Sequence, residues 1–196
     1  MDENELIQAA KQGEVESFNR LVLAYQDTAY HLAYRIMGEA DAAADATQEA
    51  FIAAFRKLHQ FRGDRFKPWL MRIVTNACYD ELRRRQRRPA LSLDDLHDDP
   101  PVADSPLHNL PENPELMAQR NELNLAIQDC LNTLPDDQRV IAVLSDLEEY
   151  HYQEIAEITG LPLGTIKSRL SRARTRLRDC LQGVRELLPV EYRLSE

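Results

Sequence analysis

Apolar residues recur along this chain at intervals of three and four, and no strand-like alternation of any length appears, so the pattern predicts an all-α protein. The first predicted helix, Glu3 to Lys11, stops at Gly13. A second runs from about Glu14 to Met37, with Phe18, Leu21, Tyr25, Ala29, Leu32 and Ile36 on one side and Gly38 at its end. A third spans Asp41 to Leu58, where Ala43, Ala46, Ala50, Ala54, Phe55 and Leu58 suit a core stripe. Its other side carries Asp45, Gln48, Glu49 and Ile52, a mixed polar and apolar band. By spacing alone that band reads as a solvated face or as a stripe for a partner.

The character changes at FRGDRFKPWLMRIVTNACYDELRRRQRR, residues 61–88. A Gly-Asp turn precedes a helix predicted to start near Pro68, a residue tolerated in the first helical turn. Phe61, Phe66, Trp69 and Tyr79 are interleaved with Arg62, Arg65, Lys67 and Arg72, and the helix ends in Arg83, Arg84, Arg85, Arg87 and Arg88. Aromatic faces that stack on exposed bases, beside cations that hold the backbone, are what single-stranded nucleic-acid binding requires. Trp69 taken alone reads better as a core residue of a helical bundle.

From 89 to 114 prolines interrupt any helix, and acids such as Asp94, Asp98 and Asp104 meet no Lys or Arg, which reads as a linker without a core. As a flexible coil it would span roughly 25–30 Å. It separates an N-terminal helical domain, 1–88, from a C-terminal one, 115–188.

In the second domain a helix from Glu115 to Thr133 turns Leu123, Ala126, Ile127, Cys130 and Leu131 inward. Leu134-Pro135 breaks it, and Asp136-Asp137 suit the dipole at the start of the next helix. Then come a short helix from Tyr152 with Ile155, Ala156 and Ile158 apolar, a break at Gly160, and a longer helix from about Pro162. That is a helix-turn-helix, whose second helix can lie in a DNA major groove. Ile166, Leu170, Ala173, Leu177 and Leu181 make its apolar stripe, while Lys167, Ser168, Ser171 and Arg172 share another side. Thr165 precedes them, Arg169 and Arg174 flank them, and no acidic residue occurs from Gly164 to Arg178. Lys and Arg reach guanine edges, Ser and Thr reach bases or phosphates, and flanking Arg neutralise phosphate.

A net charge of −9 is unusual for a DNA binder, so the positive charge must act locally or a partner must deliver the protein to DNA. The 3 cysteines, Cys78, Cys130 and Cys180, lie about fifty residues apart without a CxxC pair, and read as buried or incidental thiols rather than a disulfide framework. The 5 histidines show no metal-ligand spacing. With no nucleophile–base pair, phosphate loop or metal spacing, an enzyme is not indicated and no cofactor is expected. No apolar run approaches the ~18 residues of a membrane span, and the acidic N-terminus MDENELIQAAKQGE lacks a signal-peptide core, so a cytoplasmic protein is expected. A stand-alone helix-turn-helix regulator would account for 134–178 but gives no task to 61–88.

The stretches DAAADATQEAFIAAFRKL (41–58), FRGD…WLMRIVTNACYDELRRR (61–85) and LPDDQRVIAVLSDLEEYHYQEIAEITGLPLGTIKSRLSRAR (134–174) resemble, in order and spacing, the extracytoplasmic-function sigma factors of bacterial RNA polymerase. The resemblance implies that Asp45, Gln48, Glu49 and Ile52 dock on the polymerase clamp helices. It implies −10 recognition and melting by Phe61, Arg62, Arg65, Trp69, Arg72, Asn76, Arg83 and Arg84, with Phe61 and Asn76 matching positions that hold an unstacked base. The −35 duplex would be read by Thr165, Lys167, Ser168, Arg169, Ser171, Arg172 and Arg174. The linker would thread the polymerase channel, and an anti-sigma factor would cover both binding faces. FRGDRFKPWL is one residue shorter than the FRGDxxFxxWL spacing common in that group.

Overall fold

The computed structural model describes residues 2–63, 65–87 and 114–186. Asp64, Arg88, the linker over 89–113 and the residues beyond 186 lie outside the described residues, and with them the limits drawn at 88 and 188. The chain divides between Ser105 and Pro106 into two compact units. Every regular element among the described residues is helical.

The N-terminal unit holds α1 (Glu3–Lys11), α2 (Val15–Met37), α3 (Ala40–Lys57) and α4 (Phe66–Arg87), with a 3-10 turn over Leu58–Gln60. A capping box starts α1: the Asp2 carboxylate accepts from the Glu5 N–H, and the Asp2 N–H donates to the Glu5 carboxylate at 3.0 Å, while the Glu3 N–H also donates to Asp2 at 2.7 Å. Gly38 ends α2 at a φ of 78°, a left-handed turn in which a β-carbon is strained, and its N–H donates to the Tyr34 carbonyl at 2.8 Å. Ala43, Ala46, Ala50 and Ala54 of α3 are buried, and their small side chains admit α2 on one flank and α4 on the other. Leu21, Leu32 and Ile36 of α2 and Leu70, Val74 and Cys78 of α4 complete that core. Phe55, placed in the core stripe by its spacing, is instead 42% exposed and covers Phe18 from outside, ring centroids 4.9 Å apart. Helix α4 begins two residues before Pro68, at Phe66, because Pro68 fits within a first turn whose N–H groups need no helical partner.

The C-terminal unit holds α5 (Pro114–Asn132), α6 (Asp136–Ala142), a π-type turn over Val143–Leu147, α7 (Tyr152–Thr159) and α8 (Leu163–Gly183). Val140, Ile141, Leu144, Ile155, Ile166, Leu170 and Ala173 are all buried. These residues hold the two helices of the helix-turn-helix at a fixed angle. Gly160 makes the turn at a φ of 70°, its N–H donating to the Ala156 carbonyl at 2.8 Å. One expectation is overturned here. Cys130 and Cys180 are joined by a disulfide, with Cα atoms 5.7 Å apart, which ties α5 to the last turn of α8. Cys130 lies on the inward stripe of α5, and Cys180 stands one turn beyond Leu177 of α8. Packing of the two helices therefore brings together cysteines that are 50 positions apart. Cys78 conforms to the expectation, a free buried thiol whose pKa burial pushes up to about 12.

Candidate nucleic-acid interfaces

In the N-terminal unit the loop between the 3-10 turn and α4 gathers the aromatic residues. Phe61 packs 5.8 Å from Phe66 and 5.1 Å from Trp69, and Phe66 packs 5.5 Å from Trp69. Phe66 is buried and Phe61 is 5% exposed, so both serve as the floor of this cluster; Trp69 is half-buried at its rim. Sequence spacing pointed to an aromatic platform and could not tell floor from rim. Arg62 and Arg65 of the loop and Arg72 and Asn76 of α4 are exposed. Farther along α4, the Arg83 guanidinium stands 5.8 Å from the Tyr79 ring and Arg84 pairs with Glu81 at 2.5 Å. Arg85 reaches Glu39 at 2.8 Å and Glu81 at 3.1 Å.

Two contacts under this loop come from α1 and α2 and were not read from the sequence. The Lys11 ammonium donates to the Phe61 carbonyl at 2.6 Å and lies 5.3 Å from the Phe61 ring centroid. The Tyr25 hydroxyl donates to the Glu3 carboxylate, while the Tyr25 ring packs 5.6 Å from Phe66. Burial and then the hydrogen bond to the Glu3 carboxylate push the Tyr25 pKa up to about 12, so the hydroxyl stays a donor. The only signal in the sequence is weak: Lys11 ends a short helix whose other face is apolar.

On α3 the band of Asp45, Gln48 and Glu49 is exposed, and Ile52 is 46% exposed. A shallow cleft of about 300 Å³ runs between α3 and α4, lined by Glu49, Lys57, Asn76, Asp80 and Arg84 among others. Glu49 of the band and Asn76 of the arginine-rich helix thus share one surface.

In the C-terminal unit, Ile166, Leu170 and Ala173 point α8 inward, and Lys167, Ser168, Ser171 and Arg172 emerge together on its exposed side. Ser168 donates to the Thr165 carbonyl at 2.9 Å, which occupies its hydroxyl proton and leaves lone pairs outward. Two arginines of the set are held by acids from other elements. Arg169 pairs with Asp137 at 3.0 Å, and Arg174 pairs with Asp146 of the π-type turn at 2.7 Å, a contact that raises the Arg174 pKa further. Lys167 and Arg172 have no ion pair among the described residues. The structure therefore divides the basic face into a central pair facing solvent and two flanking arginines tied to carboxylates.

Residues 21–88 match sigma-70 region 2 and residues 124–177 match sigma-70 region 4. The chain is similar to the ECF RNA polymerase sigma factor SigE of Mycolicibacterium smegmatis, 38% identical over 87% of this chain and 63% of that protein, which is thus longer than the stretch matched. It is 36% identical to the RNA polymerase sigma-H factor of Pseudomonas aeruginosa, over 92% of this chain and 94% of the relative. The ECF RNA polymerase sigma-E factor of Escherichia coli K12 is 35% identical over 90% of this chain and 93% of its own length. Among solved structures, RpoE of Bartonella quintana in complex with the anti-sigma factor NepR superimposes with a TM-score of 0.58 at 26% identity, covering 85% of this chain and 97% of that one. CnrH in complex with the cytosolic domain of CnrY gives a TM-score of 0.55 at 26% identity over 93% and 99% of the two chains. No helix among the described residues is long and apolar enough to cross a membrane.

Proposed function

The chain belongs to the extracytoplasmic-function sigma factors of bacterial RNA polymerase, and from that premise we propose how its residues divide the work of promoter-specific transcription initiation. It is an alternative sigma factor rather than an enzyme, acting with core polymerase on promoter DNA in the cytoplasm. One observation carries the division of roles. Two compact units each present a separate basic face, and they match regions 2 and 4 in chain order. A stand-alone duplex regulator has no use for the first of these faces.

Asp45, Gln48, Glu49 and Ile52 are exposed on α3 and form the docking surface for core polymerase, a polar rim around an apolar contact. Arg62, Arg65, Trp69, Arg72, Asn76, Arg83 and Arg84 form the −10 face, with Phe61 beneath them as the wall against which an extruded base rests. Melting costs about 1.4 kcal/mol per base step. Stacking of a captured base returns roughly 1–3 kcal/mol, so capture of a few bases on this face offsets opening of a short bubble. In the second unit Lys167, Ser168, Ser171 and Arg172 read base edges of the −35 duplex. Thr165 contacts a phosphate beside them, while Arg169 and Arg174 flank the site held by Asp137 and Asp146.

With a net charge of −9, the free chain binds DNA weakly, and docking on polymerase makes it competent. An anti-sigma partner, of the kind present in the complex of Bartonella quintana RpoE with NepR, would oppose this by covering the exposed faces. The test is run-off transcription with purified core polymerase on a library of promoter fragments. Specific transcripts that require the protein establish the reading and give both promoter elements. Tight binding of the isolated chain to its promoter at physiological salt, with no gain in transcription, would overturn it.

A further inference from the structure

Helix α1 ends ten residues before the start of the stretch that matches sigma-70 region 2, which covers 21–88, yet it supplies contacts to the loop that carries the −10 role. One ammonium, that of Lys11, engages Phe61 twice: it donates to the carbonyl at 2.6 Å and stands 5.3 Å from the ring centroid. The Phe61 N–H is already committed to the Leu58 carbonyl at 3.0 Å. Gly63 also lies close to the ring, where a β-carbon would come within 3.3 Å of Cε2. The backbone and the ring of Phe61 are therefore fixed at one place, and α1 provides the charged part of that fixation.

We propose that Lys11 is a positioning residue for recognition of the −10 base, holding Phe61 in the single arrangement that fits one base better than the others. The proposal rests on the reading of 61–76 as the −10 element. Phe61 follows the 3-10 turn in extended backbone, at φ −66° and ψ 116°. A charge-assisted bond to its carbonyl is about twice as strong as a neutral one, and an ammonium over an aromatic face adds attraction that a neutral side chain cannot. Without both, the Phe61 carbonyl turns to water and its ring gains rotamers. Discrimination among bases depends on one preorganised shape, so it falls before binding or folding does. A role confined to tying α1 to the core predicts something else: fewer folded molecules, each with unchanged preference.

The experiment uses holoenzyme assembled from core polymerase and the full chain, either wild type or carrying Lys11→Met, Lys11→Gln or Lys11→Arg. Initial transcription rates are measured on promoters bearing each of the four bases at every −10 position. The expected result is a preference at one −10 position that flattens threefold or more in K11M and K11Q, while core-polymerase affinity is unchanged and K11R stays within twofold of wild type. A lost folded fraction scales every rate equally and leaves the ratio intact, so a uniform drop overturns the proposal. An unchanged preference in K11M overturns it as well, as does equal flattening in K11R. If the wild-type protein directs no transcript from any promoter, the sigma-factor reading falls first and takes this inference with it; specific wild-type transcripts with unaltered K11M preference remove Lys11 alone.

Discussion

Arg174 of α8 meets Asp146 of the π-type turn in a two-pronged ion pair, Nε to Oδ2 at 3.0 Å and Nη2 to Oδ1 at 2.7 Å. The π-type turn makes this possible. Its widened ring, with the Glu148 N–H donating to the Val143 carbonyl at 3.0 Å, carries Asp146 to the outside of a segment whose Val143 and Leu144 are buried. Both partners are partly exposed, so the pair itself contributes little stability, about 0–1 kcal/mol. Its effect is on DNA. A guanidinium shared with a carboxylate releases no phosphate counterion, and the carboxylate repels the backbone. Asp146→Asn is therefore expected to strengthen binding to a −35 duplex, with the slope of log affinity against log salt steepening by about one. Arg174→Ala should leave that slope nearly unchanged. Fluorescence anisotropy across a salt series reads both; a shallower slope in R174A would mean that Arg174 leaves Asp146 for a phosphate.

Arg172 and Ser168 on the exposed side of α8 should behave differently. Arg172 is exposed, lies on the same side as Ser168, and has no ion pair among the described residues. Arg172→Ala is expected to cost about 1–3 kcal/mol of −35 affinity and to relax preference at one base pair, the signature of a base-edge contact. Ser168→Ala should cost less, because that hydroxyl already donates to the Thr165 carbonyl at 2.9 Å. Competition binding over single-base variants of the −35 site separates the two. If R172A weakens every sequence alike, Arg172 is a phosphate contact.

The difference between those two arginines was not readable from the chain. Nothing acidic lies between Gly164 and Arg178, so the whole helix reads as uniformly basic; Asp137 and Asp146 reach it only through the fold. The helices themselves were legible because their stripes obey local spacing, and Ile166, Leu170 and Ala173 are buried as that spacing required. Phe61 shows the limit on the other side. Spacing marks it as an aromatic beside arginines, but whether its ring faces a base or a core depends on Lys11, Phe66 and Trp69. The disulfide escaped for the same reason, since pairing of Cys130 with Cys180 needs α5 and α8 to be packed together first.

His31 on α2 gives the N-terminal unit a pH response of definite sign. Burial, and then repulsion from Arg35, hold its pKa below the ordinary value, against a weaker pull from Asp27. A lowered pKa in the folded state means that the unfolded chain binds the proton more readily. The corresponding stability is fully present above pH about 6.5, the ordinary histidine value, and is lost as pH falls through the lowered folded value. Denaturation midpoints at pH 7.5, 6.5 and 5.5 should therefore fall more steeply for the wild type than for His31→Gln. Carboxylate titration is common to both proteins and cancels in the difference. A steeper fall in the variant would reverse the assigned sign.

The bond between Cys130 and Cys180 closes a loop of 50 residues, and such a closure removes chain entropy from the unfolded state equivalent to about 4 kcal/mol. The N-terminal unit holds only Cys78, which is buried and free. Reduction should therefore act on one unit and spare the other. In a calorimetric scan, dithiothreitol is expected to lower the transition of the C-terminal unit by on the order of 10 °C or more and to leave the N-terminal transition where it was. Cys130→Ala with Cys180→Ala should show the lowered transition with or without reductant. The fold should survive reduction at moderate temperature, because Val140, Ile141, Ile155, Ile166 and Leu170 remain buried without the bond. What loosens is the far end of α8, beyond Ala173, where Leu177 and Leu181 are only half-buried and the disulfide is the firmest tie to α5. Thiols in the cytoplasm are ordinarily kept reduced, so a −35 affinity that differs between oxidised and reduced protein would make that end of α8 part of the DNA-binding response. Equal affinity in the two states would confine the bond to stability.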